Sequence, residues 1–483
     1  MRWLDAVAPV RMTRITLVAP EGALRDVLVR VADAAAVEID LTDREQTPPG
    51  EAAARLQHAG QASSAPALSA DRPDLDRLEQ AGRYDLLAGE AQLEAYAAAA
   101  ARRSGVAALA GWIPANRLPG VAASVAEVGG AVVPRRRPLG IEAPTLLRDA
   151  GLRHSLTPLV QTYGTVPYAD IDPTWPAWVA YVLMFGMMFG DAGQGVLLVA
   201  VGLALRAGWP RWARRYRRVW PFVAGAGLAA TGFGLLYGEC FGPTGLVPTL
   251  WLDPLSHPTT LLLVAAGIGV ILLALAYGLG TINRWREGGW PTALYAPSGI
   301  AGISLFLGAG AVAAGWYFHQ ALLMGAGAFV AVAGLVLAFI GFLAEAGGGG
   351  AGTMQASVES FDFVVRLGSN VVSFTRLAAF GLTHAALGML VWEGTRALWA
   401  RGGVLAVAGL ILFAAGTALA FSLEVLVAAI QALRLEYYEL FSRVFVAQGR
   451  LFRPWHVPTA TGHEAVARER ERVPALSAGA GGA

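Results

Sequence analysis

FTRLAAFGLTHAALGML, residues Phe374–Leu390, and LEVLVAAIQALRLEYYELF, residues Leu423–Phe441, are apolar enough to lie in a bilayer. Yet the first carries Arg376 and His384, and the second carries Glu424, Gln431 and Arg434. An arginine at the middle of a bilayer helix costs about 2.5–3.5 kcal/mol on insertion scales, so a chain that keeps one there turns it toward a partner or water. Two such arginines on neighbouring apolar segments require a shared reason. Guanidinium stays protonated at any physiological pH, whereas a lysine or histidine in a dry site loses its charge readily. A permanent cation in this setting calls for a counter-charge that comes and goes.

The surrounding sequence has the composition of a polytopic membrane protein with a soluble part attached: 483 residues, 55% hydrophobic and 15% charged. A net charge of +2 offers no basic surface for nucleic acid. All 37 basic residues are arginine, which excludes a lysine-bearing phosphate loop, a Schiff-base lysine and a lysine general base. The single cysteine, Cys240, rules out an internal disulfide and a cysteine zinc site. The seven histidines include no i, i+4 pair, so neither a metal nor a cofactor is expected. MRWLDAVAPVRMTRITLV lacks the apolar core of a signal peptide, which places the N-terminus in the cytoplasm.

Residues 1–170 read as a soluble α/β domain. Arg14–Val18, a helical run from Glu21 to Ala35 and Val37–Leu41 make one strand–helix–strand unit; Val106–Trp112, a helix over about Asn116–Val128 and Ala131–Val133 make a second. Between them lie a Pro/Ser/Gly-rich stretch, Thr47–Pro73, and an acidic amphipathic helix over about Asp74–Arg102. The order fits two small lobes joined by a short helical arm, with no catalytic constellation.

Residues 171–455 are dominated by apolar runs: Trp175–Leu205, Trp220–Phe241, Thr259–Ile282, Ala293–Phe318, Ala321–Leu343, roughly Ser357–Trp399, and Val404–Phe445. The loops Arg206–Arg218 and Asn283–Trp290 are basic, while Gly242–Pro258 has no basic residue, which puts the first two inside and the third outside. A cytoplasmic N-terminus then requires Trp175–Leu205 to turn back on itself, at Gly190–Gly195 (GDAGQG). The result is a polytopic α-helical protein of eight spans with both termini inside. Phe361–Trp399 would extend about 57 Å as one helix against a hydrocarbon core of about 30 Å, so the last two spans are long and must tilt, break or project. Residues 456–483 read as a disordered polar tail.

Glu424 and Arg434 lie about 15 Å apart along one helix with Gln431 one turn from Arg434, and Asp362 precedes Arg376 by about 21 Å. A series of acid, arginine and histidine suits ion access from opposite sides of a membrane with a fixed cation between. The simpler reading is that each charge makes a structural pair, Arg376 with Glu424 for instance. Two arginines, two acids, a histidine and a glutamine on adjacent spans weigh against it. Glu239, Glu345, Glu393 and Arg396 lie near span ends, where side chains reach the interface. Asp191 is expected to hold its turn, and His319 lies at an outer boundary.

FGMMFGDAGQG (Phe185–Gly195), FGLLYGECFG (Phe233–Gly242), WLDPL (Trp251–Leu255), SFTRLAAFGLTHA (Ser373–Ala385) and LEVLVAAIQALRLEYYELFSRVF (Leu423–Phe445) together resemble the large membrane subunit of V/A-type rotary ATPases, subunit a or I. The soluble part resembles it more loosely, through YGTVPYADIDPT (Tyr163–Thr174) and GWIPANRL (Gly111–Leu118). The resemblance implies a stator in the plasma membrane of a prokaryote. Such a stator faces a rotating proteolipid ring, supplies two half-channels for H⁺ or Na⁺ and meets the peripheral stalks, while ATP chemistry stays on partner ATPase subunits. It further implies that Arg376 is the essential arginine and Arg434 the second arginine. Glu424, Gln431 and His384 would be half-channel residues and Asp362 the acid near the cytoplasmic opening. The chain departs from the family in its short soluble region, which lacks most of the long coiled-coil insertions. A self-contained secondary transporter and a structural membrane anchor are the competing classes.

Overall fold

A computed structural model describes residues 8–40, 50–59, 65–137, 141–148 and 152–459. They form two compact units, one made of Val10–Leu146 and the described residues from Arg450 onward, the other of Leu147–Gly449.

In the first unit, alternation of Ile15, Leu17 and Ala19 makes one buried face of β1 (Met12–Pro20). α1 (Leu24–Ala34) lays Val27, Leu28 and Val31 into the same core. The chain continues through β2 (Glu38–Ile39), α2 (Glu51–Ala59), α3 (Leu75–Gln80), α4 (Tyr84–Ala98), β3 (Ala101–Arg103), β4 (Val106–Pro114), α5 (Leu118–Ala126) and β5 (Ala131–Arg135). The expected two lobes are one sheet. β1 pairs antiparallel with both β4 and β5, giving the order β2-β4-β1-β5 with β3 beside β4. Two strands alone make a marginal sheet, and pooling them gives both strand–helix–strand units a common core. The acidic helix expected over Asp74–Arg102 is interrupted at Gly82, whose φ of 65° no ordinary helical residue adopts.

The segment read as a tail enters this unit at its first positions. Val457 is buried in the core together with Trp455, the residue just before that segment, whose amide donates to Val37 O at 2.9 Å and whose indole donates to Gln92 Oε1 at 3.1 Å. A few apolar residues among polar ones suffice for this, and composition averages hide them. Residues 460–483, like Leu41, lie outside the described residues.

The second unit begins with α6 (Leu152–Tyr163) and continues with α7 (Thr174–Met188), α8 (Ala192–Ala207) and α9 (Trp220–Tyr237). Trp178 of α7 donates to Pro221 O of α9 at 3.3 Å, and Gly186 and Gly190 meet Ala229 and Tyr237, so α7 and α9 run parallel. Gly195 and Gly202 of α8 meet Thr231 and Ala224, so α8 and α9 run antiparallel. The chain therefore reverses between Met188 and Ala192, as arginine placement required. The glycines have a further role: a Cβ on Gly195 would lie 2.5 Å from Thr231 N, and one on Gly202 2.7 Å from Ala224 N. Small residues let these backbones approach where no hydrophobic drive exists between helices in lipid.

α10 (Pro258–Tyr295) continues through the basic stretch expected to be a loop and kinks at Gly289, φ 75°. α11 (Ile300–Tyr317) and α12 (Ala321–Glu345) follow. The long seventh segment breaks into α13 (Gly349–Ser373) and α14 (Thr375–Trp399) at Phe374, where the amide bonds tighten to Phe374 N–Val371 O and Leu377 N–Phe374 O. α15 (Gly403–Leu435) widens into a π turn over Glu436–Phe441. Among the described residues six helical stretches, with α13 and α14 counted as one, are long and apolar enough to cross a membrane, and α7 and α8 are shorter apolar helices.

Gly195→Val should lower the melting temperature of the detergent-solubilised chain by the equivalent of about 1–3 kcal/mol of overpacking. Gly232→Val on α9, with nothing within 4 Å of the added carbon, should leave it unchanged.

Candidate functional site

Four segments converge on His384. The residue sits on α14, 5% exposed, against the ring of Phe189 with centroids 4.7 Å apart. Its Nδ1 hydrogen-bonds Glu424 Oε2 of α15, and its Nε2 lies 3.9 Å from Oε2 of Glu239. Glu239 follows α9 in a loop and is 5% exposed. Asp191, fully buried between α7 and α8, has one donor atom within 4.8 Å of those of Glu239 and His384. The reading of Asp191 as a turn holder describes half of its role. Its Oδ1 accepts from the amides of Gln194 (2.9 Å) and Phe241 (3.0 Å), and its Oδ2 accepts from the Gly242 amide (2.9 Å). It caps α8 and ties the reversal to the loop that carries Glu239.

Three acids thus surround one imidazole. Burial pushes the Glu239 carboxyl up to about 7; the charge of His384 opposes that rise, while Asp191, Asp253 and Glu424 add to it. A carboxyl raised above the usual range by burial, set beside an imidazole, is an arrangement suited to a proton relay. Snorkelling does not describe Glu239, because the loop folds inward and covers it. Glu345, Glu393, Arg396 and His319 are exposed, in keeping with their boundary positions.

Arg376 does not pair with Glu424, whose partner is His384. It is half-buried at the start of α14, its Nη1 has no hydrogen-bond partner, and Arg434 and Glu439 are the charged groups in its field. Arg434 is exposed, and neither arginine is in an ion pair among the described residues. Gln431 is half-buried with a free carbonyl oxygen, on the α15 face that also carries Glu424 seven residues earlier. Asp362 stands apart from this group, on an exposed face of α13, paired with Arg366 at 2.6 Å. The structure therefore joins His384 to Glu424, gathers Arg376 and Arg434 into one electrostatic neighbourhood, and keeps Asp362 separate.

Sequence reasoning missed Glu239 as a buried partner and did not consider Glu436 or Glu439. Glu436 is 1% exposed in the π turn and lines an apolar cavity with Trp175 and Leu272. Glu439 is 8% exposed and, with the Asn370 amide nitrogen toward it, accepts at 3.2 Å while the Asn370 oxygen accepts from Arg443 at 2.7 Å. The signal for both was present in LRLEYYELF, where two acids three residues apart lie on one side of a helix otherwise apolar.

The profile of the V-type ATPase 116kDa subunit family matches residues 96–242. Over 375 residues the chain is 25% identical to the A-type ATP synthase subunit I of Thermococcus kodakarensis, covering 74% of this chain and 55% of that protein. The corresponding protein of Aeropyrum pernix is 29% identical over 345 residues, 61% of this chain and 49% of its own length. A V-type ATP synthase subunit I of Treponema pallidum is 30% identical over 152 residues, 29% of this chain and 34% of its own length. The chain spans about half the length of the archaeal relatives it matches. The chain is thus similar to the V-type ATPase 116kDa subunit family over residues 96–242 and to subunits I of A-type ATP synthases over most of its residues, and it has the apolar helices of a multi-pass membrane protein.

Proposed function

We propose that the chain is the ion-conducting stator of a V/A-type rotary ATPase. In this reading it passes H⁺ or Na⁺ through two half-channels against a rotating ring of proteolipids, and ATP is handled by partner subunits attached through peripheral stalks. The observation that carries the reading is the contrast between two groups on α14: His384, buried and engaged with acids, and Arg376, a permanent cation with an unsatisfied nitrogen. They are eight residues apart, about 12 Å along the helix. A carboxylate riding on a ring must be neutral in lipid and ionised only opposite the stator. Arg376 favours that ionised form and repels a cation moving directly between the half-channels. Glu424, His384, Glu239 and Asp191 line one access, Asp362 stands at the other, and Gln431 lies between Glu424 and Arg434. Eight spans with both termini in the cytoplasm, counting α7 and α8 as a thin hairpin, complete the arrangement.

Three outcomes test this reading. In assembled complexes reconstituted into vesicles, Arg376→Ala should abolish ATP-driven ion uptake. Arg376→Lys should nearly do so, because a compact, strongly hydrated ammonium does not replace the fork. Arg434→Lys should retain most uptake; near-normal pumping by Arg376→Ala refutes the mechanism.

Glu424→Gln should slow uptake by about a hundredfold, the lower end of what a positioned proton-transfer group contributes. Asp362→Asn, on an exposed face with other polar neighbours, should slow it less, both variants assembling normally. Failure of Glu424→Gln to assemble would mark the residue as structural.

A single cysteine introduced into Arg206–Arg218 of a Cys240→Ser chain should be inaccessible to impermeant thiol reagent applied outside the cell. Labelling there from outside overturns the orientation.

A further inference from the structure

We propose that Asp191, Glu239 and His384 form a binding site for one divalent cation of the Zn²⁺ class. One donor atom from each residue lies within 4.8 Å of the others, and the three residues are 0%, 5% and 5% exposed. An imidazole nitrogen with two carboxylate oxygens is a three-ligand set suited to zinc with an open fourth position, whereas Mg²⁺ and Ca²⁺ take oxygen ligands.

Two further observations point the same way. The first is orientation. Hydrogen bonding of His384 Nδ1 to Glu424 leaves Nε2 as the lone-pair nitrogen, on the side of Glu239 and Asp191. A carboxylate behind a histidine in this manner is the usual support of a metal-bound imidazole, fixing its tautomer and raising its basicity. The second is charge. Asp191 and Glu239 are buried acids and the Glu424 side chain is 13% exposed, no arginine forms an ion pair with any of them among the described residues, and Glu424 Oε1 has no hydrogen-bond partner. One imidazole cannot balance three acids, and a dication beside Asp191, Glu239 and His384 supplies charge that a single imidazole does not. Bonds of about 2.0–2.2 Å require the donors to draw in from their present spacing. Glu239, in a loop between helices, is the ligand with freedom to do so. The ligands come from positions 191, 239 and 384, so no local spacing motif announces them, and the absence of an i, i+4 histidine pair carries no weight here.

The assignment rests on geometry and does not depend on transport. Where the chain conducts ions, a bound metal occupies His384 and Glu239 and closes that access.

The full chain, purified in detergent and stripped with chelator, should bind one Co²⁺ per chain, seen by its visible absorption, and release it to Zn²⁺. His384→Gln and Glu239→Gln should each weaken binding at least tenfold. Glu424→Gln, acting through His384, should weaken it by about 10–100-fold. His319→Gln, exposed and distant in sequence, should bind as the unaltered chain does. Metal-free melting temperatures separate lost ligands from lost fold, and Glu239→Gln decides the matter if His384→Gln does not fold. Absence of stoichiometric binding, binding that His384→Gln and Glu239→Gln both leave unchanged, or equal affinity for Mg²⁺ each overturns the site.

Discussion

A charge among apolar helices must be neutralised or left facing water, and at His384 this requirement sets the packing of four segments. Glu424 reaches it from α15, Glu239 from the loop after α9, and Asp191 stands behind at the reversal between α7 and α8. Asp191 is held by three backbone amides, whereas His384 and Glu424 depend on each other. Removing the imidazole would leave three acids facing one another, and removing Glu424 would leave an imidazole with no fixed tautomer.

That convergence depends on close backbone approach elsewhere. Asp191 can bond the amides of Phe241 and Gly242 because α8 and α9 lie nearly in contact along Gly195, Gly202 and Gly227. A single larger residue on this seam would push α8 outward and loosen both the cap and the loop that buries Glu239. The sequence GDAGQG therefore joins two functions in six residues: its aspartate caps and contributes charge, and its second and third glycines permit the approach that brings that aspartate to the loop.

Much of this was legible in sequence, and the limits have identifiable causes. Apolar run lengths located the long apolar helices, and arginine placement required Trp175–Leu205 to reverse, because both signals act locally along the chain. The anomalous charges were equally visible. Their partners were not: pairing Arg376 with Glu424 was reasonable on adjacent helices, but which acid meets which base depends on helix rotation and break points, such as the tightened turn at Phe374. Glu239 was mistaken for an interface residue because proximity to a span end says nothing about whether the next loop folds inward. In the soluble unit, periodicity identified both strand–helix–strand units correctly, while their union into one sheet rests on the long-range pairing of β1 with β4 and β5. Val457 was lost in a segment judged by its average composition, and Trp455 stood as the last residue of the stretch read as membrane-spanning.

The distribution of charge over α14 and α15 separates two kinds of group. Those able to gain or lose a proton, His384 and Glu424, are enclosed and bonded to each other, so that protonation of one alters the other. Those unable to do so, Arg376 and Arg434, have no ion-pair partner among the described residues, one half-buried and one exposed. A structural ion-pair network would show the opposite, with guanidinium groups forked onto carboxylates, since that is the strongest pairing these side chains offer. Both acids of the π turn pass over it as well: Glu439 bonds Asn370, and Glu436 faces an apolar cavity. Bases held back from the acids nearest to them remain available to a further acid, and under the function proposed above that counter-charge is a moving carboxylate on a partner subunit.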